Sequence, residues 1–167
     1  MNFEDDAMLE LSAAILSIDG PYINISNPEN LFEQEMPLEE YENLPDENFP
    51  MVIMYIDGEV QELVANDRFE ISVNVDVSVI YKIDPAKEKK REGLHRGRKC
   101  LRQFVNRILE RQRSGKALVP LYLSGDANIE AGDRWLIDHK DEKIFNGVAT
   151  ARFTLRHIEL NSEVNNA

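Results

Sequence analysis

The residues of this chain that could do chemistry are three histidines, one cysteine, several adjacent carboxylates and one run of bases. His95, His139 and His157 stand apart, and none has a partner at metal-ligand spacing, so no metal is assigned. Cys100 has no second cysteine to pair with and reads as a small packing residue in a reduced compartment. Asp126, Asn128 and Glu130 begin like a calcium loop. Ala131 then stands where the sharp turn needs glycine and Ile137 where the bidentate glutamate belongs, which leaves a surface turn. The pairs Glu39-Glu40 and Asp46-Glu47 have the groups for acid–base work, but nothing around them fixes their geometry, and they read as solvated. The sequence therefore assigns no catalytic residue and no cofactor.

The run Gly93-Leu94-His95-Arg96-Gly97-Arg98-Lys99 combines glycines with bases, as a phosphate loop does, but lacks the Gly-Lys-Ser/Thr ending. Arg91, Arg96, Arg98, Lys99 and Arg102 could grip phosphate oxygens through guanidinium forks. The other reading is a solvated helix face beside an acidic partner, and it is preferred because the rest of the chain repels DNA. On that reading the candidate interface residues are these five bases and the acids Glu39, Glu40 and Glu42. No row of aromatics accompanies the bases, so single-strand stacking is not indicated.

The charge layout supports the preference. The net charge is −12, yet Met1 to Asp84 holds 20 acids against 2 bases, and Pro85 to Lys116 holds 12 bases against 3 acids. With 167 residues, 43% of them hydrophobic, the chain reads as one domain over residues 1–167. No apolar run is long enough for a membrane span, and the first residues are acidic where a signal peptide would be basic.

The elements that must position these groups follow from periodicity. Glu4 to Ile18 predicts an amphipathic helix ended by Gly20-Pro21. Residues 22–48 predict a long acidic loop with one helical turn, anchored by Leu31, Phe32, Met36, Leu38, Tyr41 and Leu44. Phe49 to Ile56 predicts a short strand, Asp57-Gly58 a hairpin turn, Glu59 to Ala65 a returning strand and Asn66-Asp67 the turn into the next strand. Arg68 to Ile83 then reads as one uninterrupted strand, with Phe69, Ile71, Val73, Val75, Val77, Val79, Tyr81 and Ile83 on one face and only Ile80 breaking the polar face between them. Such a strand spans roughly 50 Å at about 3.3 Å per residue, more than a core of this size needs, so part of it should project or lie on another subunit. Lys87 to Arg113 predicts the main helix, with Leu94, Leu101, Phe104 or Val105, and Ile108 buried; Gly93 and Gly97 either delay its start or allow close packing. Ala117 to Leu123, with Pro120, predicts an edge strand, Ser124 to Asp133 a loop, Arg134 to Asp138 a short strand, and Val148 to Leu160 a closing strand. Residues 161–167 read as a frayed tail. The expected class is α+β: an antiparallel or mixed sheet with a long central strand and helices packed on one face.

This order of elements, Asp5–Ile18, the Phe49-Pro50-Met51-Val52-Ile53-Met54-Tyr55-Ile56 step, Phe69–Ile83, Leu94–Arg113 and Val148–Leu160, resembles that of the tail terminator proteins of long-tailed bacteriophages, the tail-completion or head–tail joining group. The resemblance covers most of the chain and is one of pattern, without a diagnostic motif. It implies a non-enzymatic structural protein that forms a homo-oligomeric ring, usually a hexamer. Such a ring caps the tail tube, ends its polymerisation and docks to the head–tail connector protein. It also implies partners in the tail tube protein and the connector, DNA only passing through the lumen, no membrane, and a place in the virion after assembly in the host cytoplasm. Two rivals stand beside it: a small enzyme using Arg96 to Arg102 for a phosphorylated substrate, and an acidic regulatory protein that mimics DNA.

Overall fold

A computed structural model describes residues 3–18, 20–118, 121–139 and 142–160. The class is α+β, and the sheet is mixed. Helix α1 (Phe3–Leu16) opens with Glu4, Asp5 and Asp6 in its first turn, where the helix dipole favours acids. It buries Phe3, Ala7, Leu11, Ala14 and Ile15. A 3₁₀ turn (Pro28–Asn30), a short strand β1 (Leu31–Glu33), a one-turn helix α2 (Leu38–Tyr41) and a second 3₁₀ turn (Asp46–Asn48) make up the acidic stretch. Then come β2 (Met51–Ala65), β3 (Arg68–Ile83), α3 (Lys90–Arg113), β4 (Tyr122–His139) and β5 (Glu142–Leu160).

The strand order is β1-β2-β3-β5-β4, with β3 at the centre. All neighbours are antiparallel except β1, which pairs parallel to β2 over Leu31–Glu33. The alternation of β3 holds: Ile71, Val73, Val75, Val77, Val79, Tyr81 and Ile83 are all buried on the face that α1 and α3 cover. Only the first residues of β3 overhang that core, less than its length alone suggests. The true projection is the second half of β2, where every residue from Asp57 to Ala65 is exposed.

Three expectations need correction. Asp57-Gly58 is not a hairpin turn. Strand β2 runs through it, and the register shifts between Asp57 and Glu59, with Gly58 at φ +60° as the extra residue of a bulge. Residues 59–65 are thus the continuation of β2, not a returning strand, and the turn falls at Asn66-Asp67. Ser124 to Asp133 is not a loop. It belongs to the long strand β4, which absorbs its turn-like residues in a register shift between Ser124 and Asn128 around Gly125 at φ +69°. Strand β4 is an edge, as expected for its first residues, while Pro120 lies outside the described residues. So does the tail at 161–167. Finally, helices do not sit on one face alone. Helix α2 packs on the opposite face, where Tyr41, Met51, Ile53, Ile80 and Val148 form a second cluster with Phe32, Met36, Leu38 and Leu44 against it. The apolar residues interleaved in the acidic stretch are thus its anchors. The Tyr41 hydroxyl donates to the Glu33 carbonyl at 2.9 Å and accepts from the Glu35 N–H at 3.0 Å, fixing the segment's path.

Helix α3 meets the sheet unusually closely. A Cβ on Gly93 would come within 2.6 Å of the Ile83 side chain, and one on Gly97 within 2.7 Å of the Tyr81 ring. Of the two readings of these glycines, close packing is the one the structure supports, and the helix runs from Lys90. The Lys89 N–H donates to the Glu92 carboxylate at 3.4 Å in the first turn, and Gly115 at φ +70° follows the last.

Candidate functional site: a basic helix face and an acidic segment

The phase of α3 is set by Gly93, Gly97, Cys100, Leu101, Phe104 and Ile108, all buried. Leu94, read as part of that stripe, is only half-buried. This phase sorts the predicted bases. Arg91, Arg98 and Arg102 fall on the outer face, with Arg91 and Arg102 exposed and Arg98 half-exposed. Arg113 continues the row and was missed; its spacing from Arg102, three helical turns on, was the available signal. The row is about 33 Å long at about 1.5 Å per residue. None of these four arginines has an ion pair or side-chain hydrogen bond among the described residues.

Arg96 points the other way and is part of the fold. Its guanidinium donates to the Glu88 carboxylate at 2.5 and 3.2 Å, to the Tyr22 carbonyl at 3.1 Å and to the Lys82 carbonyl at 3.3 Å. It also lies 5.1 Å from the centre of the Tyr81 ring. Lys99 sits 4.8 Å over the Tyr22 ring. Lys82 lies 4.9 Å from the Phe49 ring and pairs with Asp46. Arg96, Lys82, Tyr22, Asp46 and Phe49 line an open cleft of about 430 Å³ between the end of the acidic segment and α3. Its cations already have partners, so it offers an incoming anion no bare charge.

The predicted acids also divide. Glu39 and Glu40 are exposed on α2. Glu42 is only 5% exposed and turns into the subunit, so this candidate is not presented to a partner. Glu29, Glu33, Glu35 and Glu47 are exposed along the same segment.

Glu10 is the charged residue that the sequence left unmarked. It is fully buried, accepts from Arg111 at 2.6 and 3.2 Å, and accepts the Leu118 N–H at 2.8 Å. This carboxylate ties α1 to α3 and to the chain leaving α3, and it raises the Arg111 pKa further. Glu10 sits 101 residues from Arg111, and only the fold brings the two together.

The catalytic candidates stay dispersed. Cys100 is buried at the helix–sheet contact, and burial pushes its thiol up to about 12. His157 is buried and stacks on Phe3 at 5.7 Å, while His95 is exposed on α3. The side chain of His139 lies outside the described residues. Asn128 donates to Glu130 at 3.1 Å within β4, and the Asp126 side chain is not among those described. Among the described residues no group of three His, Cys, Asp or Glu side chains is arranged to hold a metal. No described helix is long and apolar enough to cross a membrane.

The second face of the sheet is open beyond the α2 cluster and carries a polar ladder. Ser78 and Thr150 hydroxyls meet at 2.9 Å, and Thr154 donates to Asn74 at 3.0 Å. Arg152 lies between Asp76 at 3.5 Å and Glu130 at 3.9 Å, and Arg156 between Glu70 at 3.0 Å and the Ser124 hydroxyl. Arginines held this way present little bare positive charge. Exposed ion pairs of this kind contribute only about 0–1 kcal/mol each, so the ladder sets the character of the surface more than its stability.

No protein-family model matches this sequence, and no curated protein is similar to it.

Proposed function

We propose that this chain is a structural assembly protein, a tail terminator or neck component of a long-tailed phage. It forms a ring, caps the tail tube, ends tube polymerisation and docks to the head connector. The observation that carries the reading is the two-sided sheet. One face is covered by α1 and α3 over the core, and the other, beyond the α2 cluster, is an open polar ladder whose mid-face arginines are bound by carboxylates. A wall of that kind, in a protein of net charge −12, lets duplex DNA pass without gripping its phosphates. The element order and the exposed second half of β2 support the same reading, since both suit a subunit made to meet neighbours. The engagement of Arg96 inside the fold counts against an enzyme built on the Arg96–Arg102 cluster.

The test is native mass and tube length. The purified protein, alone and with tail tube protein, is measured by multi-angle light scattering and imaged by negative-stain microscopy. A closed ring that halts tube growth at a fixed length is the expected result. A monomer under all conditions, with tubes growing unchecked in its presence, would sink the reading.

A further inference from the structure

We infer that the outer face of α3 is a docking surface for the acidic segment, residues 29–47, of a second copy of this chain. This rests on the reading that the chain assembles with itself, and it names the two surfaces that meet. Arg91, Arg98, Arg102 and Arg113 run along one side of α3 and have no ion pair or side-chain hydrogen bond among the described residues. The segment that would answer them carries Glu29, Glu33, Glu35, Glu40 and Glu47 on its surface, and no base occurs anywhere from Tyr22 to Asn48.

Helix α2 and the outer face of α3 do not meet within one subunit. Helix α3 packs on the sheet face that buries Val75 and Val77, whereas α2 packs on the opposite face over Ile80 and Val148. A second copy can bring its acidic segment to α3 while offering its own α3 to a third. The contact is head-to-tail, the kind that closes into a ring when its rotation permits. The acidic segment is also preorganised. The two Tyr41 hydrogen bonds and the cluster beneath α2 hold it in one path, so little ordering is lost on docking. Apolar area is available at the C-terminal end of the helix face. Leu118, 64% exposed, follows α3, and Leu9, 60% exposed, neighbours the Glu10 carboxylate that the Leu118 N–H reaches.

Duplex DNA is the other polyanion that could lie along such a row. It is disfavoured by the net charge and by Glu92 and Glu110, exposed at the two ends of the same helix.

The experiment uses two charge-reversed full-length chains, Arg98→Glu/Arg102→Glu and Glu35→Lys/Glu40→Lys, with circular dichroism as the folding control. All four substituted sites are on the surface or half-exposed, so both chains should fold. Light scattering at low salt should show each variant alone associating at least about tenfold more weakly than wild type. An equimolar mixture of the two should recover association, because every contact in an alternating assembly is then complementary. High salt should weaken wild type more than either variant. If wild type assembles and the arginine variant assembles equally well, this inference falls and the assembly reading stands. If both variants weaken but the mixture does not recover, the pairing of these two surfaces is wrong. If a short duplex binds wild type and the arginine variant loses that binding without a change in mass, α3 is a nucleic-acid surface. A wild type that stays monomeric throughout overturns both the pairing and the assembly reading.

Discussion

In an ordinary helix interior, replacing glycine by alanine stabilises by about 1 kcal/mol, because alanine restricts the unfolded chain and glycine does not. Gly97→Ala in α3 should do the opposite. The new methyl would lie within 2.7 Å of Tyr81 Cε1 and 2.8 Å of Cζ, far inside contact distance. The ring cannot swing away. Its hydroxyl donates to the Gly93 carbonyl at 2.8 Å, and its other side packs against Gly147, where an added Cβ would sit 2.7 Å from Cζ. Overpacking a tight core costs about 1–3 kcal/mol, and a pinned ring puts this site at the upper end. Setting the propensity gain against that leaves a net loss of about 2 kcal/mol, or a fall in Tm of roughly 4–8 °C for a chain of this size. The decisive comparison is the same substitution in a Tyr81→Ala background. With the ring gone, Gly97→Ala should become stabilising by up to about 1 kcal/mol, so the effect reverses sign. Tyr81→Phe, which removes only the hydroxyl, should give an intermediate result. Urea unfolding followed by circular dichroism measures all of these. An equal effect of Gly97→Ala in both backgrounds, or stabilisation in wild type, would refute the close-packing account of α3.

Glu10→Ala should cost about 3–5 kcal/mol, because it leaves the Arg111 guanidinium and the Leu118 N–H without their buried acceptor. A double-mutant cycle with Arg111→Ala should show strong coupling, and purely additive losses would show that the pair does not act as a unit. Stability should also decline at alkaline pH. Burial raises Tyr81 from 10.0 to about 12 and Cys100 from 9.0 to about 12, so the unfolded chain releases these protons first. The contribution of each group is intact below its unfolded value and is lost as pH rises toward about 12. Chemical denaturation at stepped pH should therefore show a flatter alkaline limb for Tyr81→Phe/Cys100→Ala than for wild type, and identical limbs would contradict the burial of both groups.

The parts of this fold that were legible in the sequence are those whose partners are nearby or whose pattern is long. The alternation of β3 located the central strand and its buried face, because sixteen residues that depart from a period of two only at Ile80 leave no other register. The anchors of the acidic stretch were legible as apolar residues out of place in a loop. The hairpin at Asp57-Gly58 was misread because the same dipeptide serves a turn and a glycine bulge, and only the pairing along β3 decides between them. Strand β4 was broken into pieces because an edge strand needs little side-chain packing and tolerates Gly125 and Gly132. On the candidate surface, the bases were visible but their directions were not. One hundred degrees of rotation per residue separates Arg96, bound inside, from Arg98 and Arg102, and the phase depended on glycines that carry no hydrophobic signal. Glu10 and Arg111 could be paired only by tertiary structure, since nothing local in either neighbourhood marks the other.

The position of β3 in the sheet also bears on how the protein is made. Its register with β5 joins Ile83 to Phe145 and Arg68 to Leu160, so one whole side of the central strand waits for residues synthesised much later. With roughly 60 residues between the two strands and elongation at about 5–20 residues per second, that edge stays open on the ribosome for several seconds. During this interval the chain holds a long β-branched strand with half its backbone unpaired, the condition that recruits chaperones or promotes association between nascent chains. The dense acids of the first half, present from the earliest moments of synthesis, add charge repulsion between such chains while that edge is open.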